Sequence, residues 1–136
     1  MANEHILENG EHIKQIEGFS DYYISNWGNV YSVHYKSKNK SKLILPQGLK
    51  KIRLSIVGKR RYDYANIYSN TGHRASLRVH RLVYQYFNNI GECLKEGYII
   101  DHMDENKRNN HIDNLQQITQ RDNIIKYHKL KKENAK

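Results

Sequence analysis

The spacing of apolar positions changes along the chain, and each change marks a different kind of element. From Phe19 to Lys36, two runs rich in Tyr, Ile and Val flank Asn26-Trp27-Gly28-Asn29, where Asn and Gly tolerate positive φ, so this stretch predicts a hairpin. Beyond the polar loop KSKNKSK, Leu43 to Leu45 predicts a short strand before Pro46. Ile52, Leu54 and Ile56 then alternate with Arg53, Ser55 and Val57, the signature of a half-buried strand. Gly58-Lys59 predicts a turn, after which Tyr62, Tyr64, Asn66 and Tyr68 recur at period two on a return strand. A small antiparallel sheet is expected from these runs.

At Val79 the period lengthens. Val79, Leu82, Val83 and Tyr86 recur at helical spacing and predict one apolar helix face of about ten residues, ending near Asn88-Asn89. Gly91 to Gly97 leads to a strand over Tyr98 to Met103, then a polar loop from Asp104 to Asp113 and a second strand over Leu115 to Ile118. A helix follows, started by Thr119 with Asp122 three residues on, a helix-capping pattern. Ile124, Ile125, Tyr127 and Leu130 are expected to give it apolar contacts, and the lysines between 126 and 132 suit its carboxyl end. The class is α+β: a small N-terminal antiparallel sheet, a helix, then strand, loop, strand and helix. Residues 12–70 read as a β-rich unit and 76–130 as a second unit.

Composition narrows what such a chain binds. Its 136 residues carry 23 Lys and Arg against 14 Asp and Glu, a formal charge of +9, which points to a polyanionic partner and above all to nucleic acid. There is no long apolar run and no basic n-region with an apolar core at the amino terminus, so a cytoplasmic protein without membrane attachment is expected. The single cysteine, Cys93, excludes an internal disulfide framework and reads as a small apolar residue.

Two features of the first half have both a packing and a functional reading. The eleven tyrosines could pack a thin β core. Alternatively Arg53, Lys59, Arg60 and Arg61, beside Tyr62 and Tyr64, form a basic and aromatic surface along DNA, its cations on phosphates. His80, off the apolar helix stripe, reads as structural or phosphate-contacting rather than catalytic.

The remaining signal is IIDHMDENKRNNHIDNLQQITQRDN. On composition alone it is an Asn-rich turn, because Asp and Asn hydrogen-bond locally in loops. However, Asp101-His102, Asn110, His111-x-x-Asn114-Leu115 and Asn123 resemble the ββα-metal motif of the HNH endonucleases. VHRLVYQYF, DHMDENKRNN and HIDNLQQIT are similar to the phage and intron-encoded homing members, and IEGFSDYYISNWGNVYS to the short DNA-binding module that often precedes their nuclease motif.

The resemblance implies a DNA endonuclease with double-stranded DNA as partner. It makes His102 the general base toward water, a task suited to an imidazole that titrates near neutrality. Asp101 would ligate a divalent metal, with Asn123 as a second protein oxygen; this donor set suits Mg²⁺ or Mn²⁺, and an amide in place of the imidazole found in many relatives favours Mg²⁺. Asn114 would brace the loop between the strands. Lys107 and Arg108 join Arg53, Lys59, Arg60 and Arg61 as candidate DNA contacts.

The chain stops soon after the nuclease helix, so recognition is expected to rest on the front sheet or to be of low specificity. A phage-encoded, nicking enzyme that acts as a monomer in the host cytoplasm is expected. An accessory nuclease of phage DNA packaging and a non-catalytic DNA-binding protein on the same fold are the other readings.

Overall fold

The computed structural model describes residues 4–33, 49–57, 61–88 and 98–134. Its class is α+β, and the first half builds two antiparallel sheets rather than one. β1 (Glu4–Ile6), β2 (His12–Ile16), β3 (Phe19–Ser25), β4 (Val30–Val33) and β5 (Leu49–Lys51) form a five-stranded meander in chain order. β6 (Ser55–Val57), β7 (Tyr62–Tyr68) and β8 (Arg74–Arg78) form a second, three-stranded meander. α1 (Val79–Phe87) follows β8 directly; β9 (Tyr98–His102) and β10 (Leu115–Thr119) make a ribbon, and α2 (Gln120–Asn134) completes the described chain.

The expected hairpin is β3 and β4, with Tyr22 opposite Ser32 and Ile24 opposite Val30. Of the strand expected over Ile52 to Val57, only Ser55 to Val57 is strand, and a further strand precedes it at Leu49 to Lys51. Leu49 to Lys51 extends the first sheet, Ile52 N–H still donates to Val30 O at 2.9 Å, and the chain then leaves to pair Ser55 to Val57 with β7. Ile52 and Leu54 pack toward the core while Arg53 is exposed, but the expected alternation fails in β6, where Ile56 is exposed, and side-chain periodicity alone did not reveal the change of partner. The stretches Leu43 to Leu45, Gly58 to Arg60 and Gly91 to Gly97, including Cys93, lie outside the described residues.

α1 is the hub. It contacts β3, β7, β8, β9 and β10, and its Val79, Leu82 and Val83 join Ile16, Ile24 and Val30 of the first sheet, Ala65 and Ile67 of the second, and Ile100 and Leu115 of the ribbon. One apolar cluster therefore draws on both halves of the sequence. Arg78 precedes α1 in an extended conformation and gives no side-chain cap. A cap contributes about 1 kcal/mol, whereas each buried Val or Leu contributes about 2 kcal/mol, so packing outweighs the missing cap.

α2 departs from expectation. Thr119 Oγ1 accepts from Asp122 N–H at 3.1 Å, as the capping pattern requires, but Ile124, Ile125 and Tyr127 are exposed instead of packed. The helix meets the ribbon at β9 and β10, and this contact leaves those three side chains exposed. No helix among the described residues is long and apolar enough to cross a membrane.

Candidate active site

β7 shows how the second sheet contributes to the site. Tyr62, Tyr64, Asn66 and Tyr68 share its outer face, which places Asp63, Ala65 and Ile67 on the buried face. The tyrosines of this strand are thus not core residues. They carry cations: Lys107 Nζ lies 5.2 Å from the Tyr62 ring centre, and the Arg78 guanidinium is 6.0 Å from those of Tyr62 and Tyr64. Arg53 and Arg61 are exposed on the same half of the chain, Arg61 in a left-handed turn at φ 55°, whereas Lys59 and Arg60 lie outside the described residues.

Asp101 and His102 end β9, with Gln116 and Leu115 of β10 directly opposite. The two side chains turn apart, as neighbours on a strand do. Asp101 faces α2. Its Oδ2 accepts from Gln116 Nε2 at 2.8 Å and from Lys126 Nζ at 2.6 Å. Lys126 also meets Glu105 Oε1 at 2.6 Å and His102 O at 3.3 Å. Burial pushes the Lys126 ammonium down, but hydrogen bonds to Asp101 and Glu105 outweigh it and hold the lysine above its usual value. Glu105 reaches this position from a left-handed backbone, φ 65°.

His102 faces α1 and β7. It is buried, packs 5.2 Å from the His80 ring and 6.0 Å from that of Tyr62, and its Nε2 lies 2.8 Å from Asn110 Oδ1. His80, expected off the apolar stripe, is nevertheless buried, because it forms the wall behind His102. Burial, then the neighbouring His102, Arg81 and Arg78, lowers its pKa to about 3, so it is neutral at physiological pH.

The loop is fixed by amides. Asn114 Nδ2 donates to Asp104 Oδ1 and Asn109 O, both at 2.8 Å, and its Oδ1 accepts from Asp104 N–H at 3.0 Å. Asn106 and Asn109 add further bonds to the same carboxylate, at 2.8 Å each. Hydrogen bonds from Asn109 and then Asn106 are the leading cause holding the Asp104 carboxyl below its usual range.

Asn110 is held from both halves of the chain. Its Nδ2 donates to Asp63 Oδ2 at 3.0 Å, and Asp63 Oδ1 accepts from Arg108 Nε at 3.2 Å. The tip of the β3–β4 hairpin docks on the same loop: Ile112 N–H donates to Asn26 O at 2.8 Å, and Trp27 stacks on His111 at 6.5 Å. Gly28 has φ 87°, and a Cβ there would come 2.6 Å from Asn110 Cβ, so the close approach requires glycine.

Asn123, on the first turn of α2, lines the same open pocket as Asp101, His102, Glu105 and Lys126, and Tyr62, Arg78 and Lys107 line it too. Asp101, His102 and Asn123 are therefore brought together, whereas Lys107 and Arg108 reach different faces of β7, Lys107 the Tyr62 ring and Arg108 the Asp63 carboxylate. Asp63, Glu105 and Lys126 are members that the sequence reading missed, whereas His80, read as structural or phosphate-contacting, lies behind His102. Asp63 did leave a signal: a carboxylate in register with Ala65 and Ile67 must be buried and must find donors. Glu105 and Lys126 left none, because their meeting depends on the angle of α2 to the ribbon.

A divalent cation suits this donor set. The position beside Asp101 and Glu105 already attracts a cation, the Lys126 ammonium, and carboxylate and amide oxygens are ligands for hard ions.

Residues 77–124 match a family model described as HNH endonuclease. Over 113 residues the chain is 35% identical to DNA endonuclease I-HmuI of Bacillus phage SP01, covering 82% of this chain and 54% of that protein. It is 32% identical over 116 residues to H-N-H endonuclease F-TflII of Escherichia phage T5, covering 85% of this chain and 52% of that one. A solved structure described as DNA binding and cleavage by the HNH homing endonuclease I-HmuI aligns with a TM-score of 0.62 and 31% identity over 86% of this chain and 57% of that chain. The chain thus spans about half the length of the relatives it matches. With an antiparallel ribbon, an amide-braced loop and a capped helix converging on Asp101, His102 and Asn123, residues 77–124 form a segment that matches the HNH endonuclease family.

Proposed function

We propose that this chain is a metal-dependent DNA endonuclease of the homing type, which hydrolyses one phosphodiester bond at a time. The observation that carries the reading is one pocket that presents an imidazole held by Asn110, a carboxylate holding a cation, and an amide from a capped helix. His102 takes a proton from the attacking water as general base. Asp101 and Asn123 would hold Mg²⁺ or Mn²⁺, Mg²⁺ by preference for an all-oxygen donor set; when bound, the ion neutralises charge on the scissile phosphate and the leaving oxygen. Asn114 keeps the loop closed so that His102 and Asp101 stay in place. Arg78, Lys107 and Arg108, with Arg53 and Arg61, contact phosphates and position the duplex, and Lys59 and Arg60 belong with them by sequence. The unit 12–70 is assigned to DNA contact, while 76–130 supplies the hydrolytic residues together with the phosphate contacts Arg78, Lys107 and Arg108. The phage origin of the relatives supports a phage-encoded enzyme working in a bacterial host.

A chain with one general base and one metal position should act as a nicking monomer. Supercoiled plasmid should convert to open circle before linear product appears, at a rate first order in protein, and binding should weaken steeply as salt rises. Linear product from the earliest time points, with a dimer mass by light scattering, would overturn the monomer reading.

Lys126 should compete with the metal for Asp101. In DNA-free protein, Lys126→Met is expected to tighten Mn²⁺ binding about fivefold, the equivalent of roughly 1 kcal/mol for a partly exposed ion pair. Calorimetry showing unchanged or weaker binding would mean that Lys126 does not occupy the metal's position.

A further inference from the structure

Asp63 lies outside the matched family segment, on β7, and yet it terminates a buried chain of hydrogen bonds that ends on His102. Asp63, Asn110 and His102 are 5%, 3% and 4% exposed, so water cannot substitute for a lost partner without cost. A carboxylate only accepts. Both Asp63 oxygens are engaged by donors, Oδ1 by Arg108 Nε at 3.2 Å and Oδ2 by Asn110 Nδ2 at 3.0 Å. With its NH₂ committed to Asp63, Asn110 must turn its carbonyl oxygen to His102, and that oxygen also only accepts. His102 Nε2 must then carry the hydrogen, and Nδ1 is left with its lone pair.

We infer that Asp63 is a positioning residue that sets the tautomer of His102 through Asn110, so that Nδ1 is the nitrogen able to take a proton. The hairpin contributes to the same end, because Gly28 and the Ile112 to Asn26 bond press Asn110 into place. The consequence for hydrolysis rests on the general-base reading of His102 above; the tautomer itself does not.

Asp63→Asn tests this with nearly unchanged shape. An amide has one acceptor, and two donors face it. The charged Arg108 claims that oxygen as the stronger partner, so the substituted amide would turn its NH₂ toward Asn110. Asn110 then flips, offers its own NH₂ to His102 Nε2, and moves the ring hydrogen to Nδ1. The measurement is ¹⁵N NMR of the histidine rings in the metal-free, DNA-free full chain, with His102 identified by the signals absent from His102→Ala. The native protein should show a bare Nδ1, Asp63→Asn a protonated Nδ1, and Asp63→Asn combined with Arg108→Met a bare Nδ1 again, since the single acceptor is then free for Asn110. Plasmid nicking by Asp63→Asn should fall by about 10²-fold or more, toward the full general-base contribution, with DNA affinity retained.

A neutral His102 ring with its hydrogen on Nδ1 in the native protein, distinguished by ¹⁵N shifts from the doubly protonated ring, overturns the inference without any variant, and so does a neutral-ring tautomer unchanged in Asp63→Asn. A tautomer that inverts while nicking continues at the native rate leaves the relay standing and instead removes His102 from the role of base.

Discussion

His102→Ala is expected to lower plasmid cleavage by about 10²-fold to 10⁴-fold, to the limit of detection, while DNA affinity stays nearly unchanged. Losing the proposed base removes chemistry, whereas the cations proposed to hold phosphate are separate side chains: Arg78 and Lys107 line the pocket and Arg108 pairs with Asp63. The substitution also leaves Asn110 Oδ1 without its buried partner, at a cost of about 1–3 kcal/mol. A thermal melt run alongside separates that loss from the loss of chemistry. Cleavage at near the native rate by a folded His102→Ala protein would remove the base assignment.

The second large effect concerns the metal. Asp101→Ala and Asn123→Ala are each expected to raise the Mg²⁺ or Mn²⁺ concentration for half-maximal cleavage by at least about tenfold, or to eliminate activity. Losing a residue that only supports a ligand commonly costs about 10–100-fold, and a ligand itself should cost no less. Asp101→Ala should be the more severe of the two. It deletes a charge and also leaves Lys126 to Glu105 alone, whereas Asn123 is a neutral donor on a partly exposed helix turn. Titrations of metal against initial rate for the two variants measure this directly, and coincident curves with the native enzyme would exclude both residues as ligands.

The sequence was most informative where one element dictates its own geometry. The β9–β10 ribbon and the Thr119 cap follow from local residue chemistry, and so the elements that carry Asp101, His102 and Asn123 were legible along with the motif. The Asn26 to Asn29 turn was equally legible, because Asn and Gly permit its backbone. What could not be read was the choice of partner. The chain passes from one sheet to the other between Lys51 and Ser55, where Ile52 and Leu54 still face the core but Ile56 no longer does, since the period of a strand is blind to which neighbour it pairs with. β1, β2 and β8 went unread for a related reason: each is a short strand stabilised by its partners and not by its own pattern. In α2 the apolar residues suggest a core face, but burial depends on what lies opposite, and nothing described covers Ile124, Ile125 and Tyr127.

The same distinction holds within the site. Residues named by the ββα motif are those to which the chemistry is assigned, while those that orient them come from elsewhere: Asp63 from β7, His80 from α1, the hairpin tip from the first sheet. α1 explains how they meet, because its Val79, Leu82 and Val83 bring both sheets and the ribbon around one apolar cluster.

Whether these residues form a working, metal-dependent phosphodiesterase is decided by incubating the native chain with supercoiled plasmid in Mg²⁺ or Mn²⁺ and, in parallel, in EDTA. Open circle is expected in the presence of metal and unchanged plasmid in EDTA. Plasmid that is bound but never cut with either metal would identify a DNA-binding protein that keeps the fold without the activity, and cleavage that continues in EDTA would contradict the role given to Asp101 and Asn123.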